Sequence, residues 1–350
     1  MDLYICSTLR HFMFALLRAN KNAEQKSLIV MILDQQRLDE RQFDLSDLPS
    51  SMSVKFVNRK ALLRKAYSGP LGFIHKLCAT ALNSNTYFKH RTRKLVLEEE
   101  LGFDRHTVIN LFLFNDRNRL ARLLRLIVDQ YQVIEDGLSN YSGSPLSIIE
   151  RLFSRNRQYR YIGDDKRCLN IFLLNKESAP KVIKHKVKAI DFVDTDCVND
   201  LLLPIFKIDR SNFEDFSKVI IATQPISIAD MSATGYDLKV YQEIVNKLEQ
   251  NNISYQFKVH PREREDKYRN TFPLATFIDS KIPLELLLFS QRDKINIVSI
   301  YSSTGMGFES FCNRITLIND EEADRQDEIY LKWRNNMSDV KQRLEEVNFG

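Results

Sequence analysis

Three short polar segments of this chain combine residue types that can do acid–base and anion chemistry. Glu135-Asp136-Gly137 sets two carboxylates side by side before a glycine. A carboxylate so placed can take the proton of an attacking hydroxyl. His260-Pro261 offers an imidazole, which can donate a hydrogen bond or a proton to a departing phosphate, with Arg262 and Arg264 nearby as forked partners for a phosphate or carboxylate. Ser302-Ser303-Thr304-Gly305 offers three hydroxyls and, read as the entry to a helix near 307–312, backbone N–H groups that would hold a phosphate. Each segment also has an ordinary role. Asp-Gly is a frequent turn, a histidine often ends a surface strand, and Ser or Thr often caps a helix.

What the three share is position. Each follows a run that reads as a β-strand: 132–134, 255–259 and 295–301. In open α/β sheets ligands bind beyond the carboxyl ends of strands. Two further residues belong with them. Gln224, after the strand expected at 218–222, offers a side-chain amide. Glu285 follows Pro283 at the start of a helix expected over 283–289. There it can accept from a ribose diol or complement the positive helix end.

The elements form two series. The first has strands at 3–6, 27–33, 53–57 and 107–114, with helical spacing at 9–19, 60–82 and 117–131. The region 181–206 reads as the join. The second series has strands at 218–222, 254–259, 295–301 and 315–318, a helix at 236–251 and an amphipathic helical tail over 328–347 expected to dock on its own chain. Short apolar runs alternating with longer periodic ones predict mainly parallel sheets covered by helices. The division is expected at 1–195 and 196–350.

A length of 350 residues accommodates two domains. The net charge of +5 favours an anionic ligand or surface, and no zinc-finger, RNA-recognition or P-loop pattern points to nucleic acid. Five scattered cysteines without CxxC spacing point to reduced thiols. No membrane-spanning run or signal peptide is read, so a cytoplasmic protein is expected. Asp194-Thr195-Asp196 has the Asp-x-Asp form that holds a nucleotide diphosphate through a divalent ion, but it lies in the join, and Asp164-Asp165 is a weaker pair of the same kind. No Gly-x-Ser-x-Gly elbow is present. Arg117, Arg119, Arg122 and Arg125, with Lys89, Arg91, Arg93 and Lys94, would give a basic surface suited to anionic lipid headgroups or a glycolipid, or an ordinary solvated helix face.

The three motifs in this order resemble those of the bacterial sialyltransferases, above all the lipooligosaccharide sialyltransferase family, and more distantly the polysialyltransferases and marine multifunctional enzymes. The opening 3–10 and Gln224-Pro225 also resemble that family. The resemblance implies two Rossmann-like domains facing a central cleft, the GT-B arrangement, with the acceptor side first and the nucleotide-sugar donor side second. It implies an inverting, metal-independent transferase with no cofactor. The enzyme would move sialic acid, or a related nonulosonic acid, from a CMP-activated donor to a hydroxyl of a cell-surface glycan such as lipooligosaccharide or capsule, with peripheral contact at the inner membrane. Carried over, Glu135 is the first candidate for general base and Asp136 its alternate or loop partner. His260 would contact the leaving phosphate, Ser302 and Ser303 would bind it with Thr304 as a substitute, Pro261 would pack by the cytosine, and Glu285 would bind the ribose. Two alternatives stay open: a transferase of the same fold using another nucleotide sugar, and a non-catalytic glycan- or nucleotide-binding relative.

Overall fold

The computed structural model describes residues 1–36, 38–79, 86–146, 158–209, 219–226, 235–260, 263–279, 282–291, 293–302 and 304–349. Of the expected site residues, Pro261 and Ser303 lie outside these, as does Arg262. The chain forms two compact units, Met1–Ile208 and Asp209–Gly350. The expected division at 195/196 came earlier. The segment after it stays with the first unit, where Phe206 packs on Phe12 and Phe43 and Ile205 accepts from the Asp44 N–H.

The first unit is built on β1 (Asp2–Cys6), β2 (Ser27–Ile32), β3 (Met52–Val57), β4 (Asn110–Leu113), β5 (Tyr131–Ile134), β8 (Cys168–Leu173) and β9 (Val187–Ala189). They form one parallel sheet in the order β3-β2-β1-β4-β5-β8-β9. β6 (Ser144–Pro145) and β7 (Tyr159–Arg160) make a small antiparallel pair apart from it. β1 and β2 are buried along their whole length, as expected for parallel strands with helices on both faces. This explains why they read as unbroken apolar runs.

The helix Leu9–Lys21 follows β1 directly. Thr8 caps it, its side chain accepting from the His11 N–H, and Phe12, Met13, Phe14, Leu16 and Leu17 are buried. The expected long helix at 117–131 is shorter, Arg119–Leu124 with a tight turn at Arg125–Ile127, because the chain must then enter β5.

The second unit has β10 (Val219–Ala222), β11 (Tyr255–Lys258), β12 (Thr276–Ile278), β13 (Ile295–Ser299) and β14 (Cys312–Thr316), all parallel, in the order β12-β11-β10-β13-β14. The helix expected near 307–312 is absent. That stretch is a series of turns with Gly305 and Gly307 at φ +81° and +83°, a backbone that glycine adopts freely, and Cys312 already opens β14. The tail is two helices, Gln326–Asn335 and Ser338–Glu346. Trp333, Val340 and Leu344 join the second unit's own core with Phe257 and Tyr241, so the tail docks on its own chain.

In both sheets the strand order reverses beside the first strand of the unit, between β1 and β4 and between β10 and β13. Ligands bind at such switch points, outside the carboxyl ends of the strands.

Candidate active site

In the first unit the carboxyl ends of β1, β4, β5 and β8 lie along one edge, and each contributes a polar group. β5 delivers Glu135 and Asp136. The turn behind them is set by Gly137, at φ +141°, and by the buried Asn140, whose Oδ1 accepts from the N–H groups of Asp136 (2.8 Å) and Gly137 (3.2 Å). The two carboxylates leave this corner in different directions, as neighbours on extended chain do.

Glu135 turns inward and is 1% exposed. Arg10 Nη2 donates to its Oε1 (2.6 Å). Tyr141 Oη (2.5 Å) and the Leu174 N–H after β8 (2.8 Å) donate to its Oε2. Burial lifts its carboxyl above the ordinary range, outweighing the opposing pull of Arg10, Tyr141 and the Leu174 N–H. Glu135 thus ties the ends of β1, β5 and β8 together.

Asp136 reaches toward solvent, its side chain 23% exposed. His11 Nε2 meets its Oδ1 at 2.6 Å, and Asn115 Nδ2, just after β4, donates to its Oδ2 at 3.1 Å. The Ser7 N–H donates to His11 Nδ1 (3.2 Å), so Nδ1 carries no proton and the Nε2–H is the one aimed at Asp136. The imidazole is buried and stacks on Phe114, ring centroids 4.1 Å apart. Burial alone would raise the Asp136 carboxyl. The hydrogen bonds from His11 and Asn115 and the charge of Arg10 hold it below the ordinary carboxylate range. Asp136 is therefore an oriented, ionised and accessible acceptor of protons. A small pocket lined by Ser7, His11, Asn115 and Asn118 lies at the same strand ends.

In the second unit, the ends of β10, β11 and β13 are laced together. Thr223 Oγ1, after β10, accepts from the His260 N–H (2.9 Å) and donates to Glu263 Oε2 (2.6 Å). Glu263 also accepts from Tyr268 Oη (2.8 Å) and closes a turn onto the His260 carbonyl (2.8 Å). Gln224 bridges the switch point. Its Oε1 accepts from the Tyr301 N–H (2.8 Å), and its Nε2 donates to Tyr330 Oη (3.1 Å). That is a bracing role, where the sequence reading has Gln224 lining the cleft. Ser302 Oγ and Thr304 Oγ1 are 2.6 Å apart, the Thr304 N–H donates to Ser302 Oγ (3.1 Å), and Arg314 Nε holds the Ser302 carbonyl (3.0 Å). The hydroxyl cluster is formed by a turn, not by a helix N-terminus.

Glu285 stands in the first turn of the helix Leu284–Ser290. Its charge acts on Lys258 at the end of β11, whose ammonium donates to the Asp279 carbonyl (2.6 Å). Burial lowers Lys258 to about 8, against the charges of Asp279 and Glu285. The structure thus groups His260, Gln224, Ser302 and Thr304 at the strand ends of one unit, and Glu135 and Asp136 at those of the other.

Sequence reasoning overlooked Arg10, His11, Asn115, Tyr141 and Lys258. The available signal was topological: Arg10 and His11 fall in the first helical turn after β1, beside the switch point. The Asp-x-Asp segment proves to be local capping, the Asp194 side chain accepting from the Asp196 N–H. The expected basic surface is also partly dismantled. Arg125 is buried against Asp165 (3.0 Å). Arg93 donates to the carbonyls of Arg105, Ile127 and Thr107, Arg117 to that of Arg160, and Lys89 pairs with Asp129.

Comparison with known proteins adds the context. The model of "Glycosyltransferase family 52" matches residues 72–319. No curated protein sequence matches the chain. Among solved structures, the GT-B domain of a sialyltransferase from Photobacterium damselae, its residues 113-497, aligns over 100% of this chain and 97% of that one, at 13% identity and a TM-score of 0.51. A sialyltransferase structure from Photobacterium damsela aligns over 98% of this chain and 78% of that one, at 13% identity and a TM-score of 0.53. At that identity the likeness is one of fold, and the fold is GT-B.

Proposed function

The chain belongs to glycosyltransferase family 52, and from this premise we propose that it moves sialic acid, or a related nonulosonic acid, from a CMP-activated donor to a hydroxyl of a cell-surface glycan, inverting the anomeric centre without a metal ion. The observation that carries the proposal is the state of Asp136: ionised, oriented by His11 and Asn115, and the more accessible of the two carboxylates. The similarity to structures named sialyltransferases supports the choice of sugar.

In this reading Asp136 is the general base and Glu135 fixes the loop that presents it, which reverses the order in which the two were first ranked. The acceptor hydroxyl attacks the anomeric carbon and gives its proton to Asp136, while the bond to the phosphate oxygen of CMP breaks. Positive charge develops on the sugar and negative charge on the phosphate. His260 donates to that phosphate, and Ser302 and Thr304 bind it, with Ser303 in the same role. Fixed donors aimed at developing charge are worth on the order of 3 kcal/mol each. A monophosphate leaving group carries less charge than a diphosphate, so these donors suffice in place of a divalent ion. Glu285 takes the ribose and Pro261 the cytosine face.

The test is a calorimetric titration of CMP, UMP and UDP with chelator present. Selective CMP binding that weakens in His260→Ala supports the donor assignment. Metal-dependent preference for a nucleoside diphosphate overturns it.

A further inference from the structure

The backbone ladder between β10 and β13 ends where Ile221 pairs with Val298. Past that point the backbone groups of both segments need other partners. A side chain supplies them. Gln224 Oε1 accepts from the Tyr301 N–H (2.8 Å), and the Gln224 N–H donates to the buried Tyr241 Oη (3.2 Å). The next residue after Tyr301 is Ser302, whose carbonyl accepts from Arg314 Nε (3.0 Å). Residues 301 and 302 are thus held at both ends, by Gln224 ahead and by Arg314 behind.

The first of these holds depends on which way the amide faces. A half-turn about its last bond exchanges the oxygen of a glutamine with its NH2. The Tyr301 N–H can only donate, so the oxygen must face it and the NH2 must face away. There it meets Tyr330 Oη, 3.1 Å from Nε2 and 106 positions along the chain. An NH2 needs an acceptor, and the phenol oxygen is one, whereas a hydrocarbon at the same place would hold neither orientation of the amide.

Tyr330 lies in the tail helix Gln326–Asn335. Docking of the tail has its own basis. The Tyr330 ring, Trp333, Val340 and Leu344 share the apolar core, and Arg343 binds Glu322 and the Leu317 carbonyl. The Tyr330 hydroxyl, at the far end of the ring, serves the amide.

We propose that Tyr330 is a positioning residue for the donor phosphate: its hydroxyl orients the Gln224 amide, the amide fixes the Tyr301 N–H, and Ser302 and Thr304 are thereby held ready for the phosphate oxygens. The inference rests on the reading of Ser302 and Thr304 as phosphate ligands. It gives the amphipathic tail a part in donor binding.

The experiment compares CMP with cytidine, which lacks the phosphate, by calorimetry with chelator present. Tyr330→Phe keeps the ring in the core and removes the hydroxyl. It should weaken CMP about five- to ten-fold and leave cytidine unchanged. In a background carrying Ser302→Ala and Thr304→Ala it should weaken CMP no further, because all three changes act on one contact. General loosening of the tail would weaken CMP and cytidine alike, and in both backgrounds, and that result overturns the proposal. Amide exchange at Tyr301, read by nuclear magnetic resonance of tyrosine-labelled protein, should be about ten-fold faster in Tyr330→Phe. Unchanged exchange overturns the proposal whether or not a nucleotide binds. So does a Tyr330→Phe protein that keeps the wild-type preference for CMP over cytidine, and the phosphate reading then stands. A wild type without that preference overturns the phosphate reading itself, and the role of Tyr330 with it.

Discussion

His11 Nε2 lies 2.6 Å from Asp136 Oδ1, although 125 positions separate the two in the chain. The imidazole is the first helical turn's contribution from the end of β1, and the carboxylate is the end of β5. A backbone N–H from Ser7 on the other ring nitrogen fixes which proton is shared. The histidine therefore serves to hold the carboxylate ionised and aimed.

The two adjacent carboxylates are expected to respond differently to neutralisation. Asp136→Asn removes the proposed base, and kcat should fall by about 10²- to 10⁴-fold, far beyond the effect of the stability loss of about 1 kcal/mol from setting its amide against one of its two donors. Glu135→Gln places an amide against three donors, so its main effect should be a stability loss of about 1–3 kcal/mol in urea unfolding. A larger rate loss in Glu135→Gln than in Asp136→Asn would return the base to Glu135.

The pH profile tests the positioning role of His11. Asp136 is held below the ordinary carboxylate range in part by the His11 hydrogen bond. The acid limb of kcat/KM should therefore lie below that range in the wild type. His11→Leu removes the donor, so the limb should move to higher pH while the alkaline side stays in place. An acid limb at the same pH in both proteins would rule out this coupling.

Lys258 should leave a signature in stability. Its folded-state value is lowered to about 8 from 10.5 by burial, so between these two values the unfolded chain binds more protons and stability rises with pH. Below about 8 the lysine is charged in both states and the burial cost is fully present. Relative to Lys258→Met, the wild type should gain about 3 kcal/mol as the pH rises from about 7 to about 11. Urea unfolding of both proteins across that range measures it.

Arg125 offers a direct check of burial against surface. It is 5% exposed and bonds Asp165 and Tyr131 Oη, which in turn donates to the buried Asp116. Arg125→Ala leaves these acidic groups without their cation and should cost about 3–5 kcal/mol by urea unfolding. A surface arginine would cost almost nothing.

The Asp-x-Asp segment separates metal-dependent from metal-independent transfer. Asp194 caps a short helical turn, so Asp194→Ala should lose about 1 kcal/mol of stability at most and keep full activity with chelator present. Loss of turnover that manganese restores would assign the segment a catalytic role.

The sequence by itself determined the two α/β series, the strands that end in polar motifs and the positions of Glu135, Asp136, His260, Ser302 and Thr304. Those signals are local, because a buried parallel strand is a short apolar run and its carboxyl end is marked where the run stops. Only the tertiary structure decided which groups meet. That Glu135 is buried and Asp136 accessible depends on Arg10, Tyr141 and Leu174 arriving from other strands. That Arg125 is core and Phe73 is surface depends on which side of each segment packs against its neighbours. The sequence reading assigns no strand at β8 and leaves the short, mixed-polarity β9 inside the join at 181–206; pairing of β8 beside β5, and of β9 beside β8, brings both into the sheet. The helix expected near 307–312 failed because Gly305 and Gly307 turn the chain directly into β14. Periodicity reports one residue's neighbours along the chain, whereas ionisation, burial and orientation are set by groups that folding alone brings close.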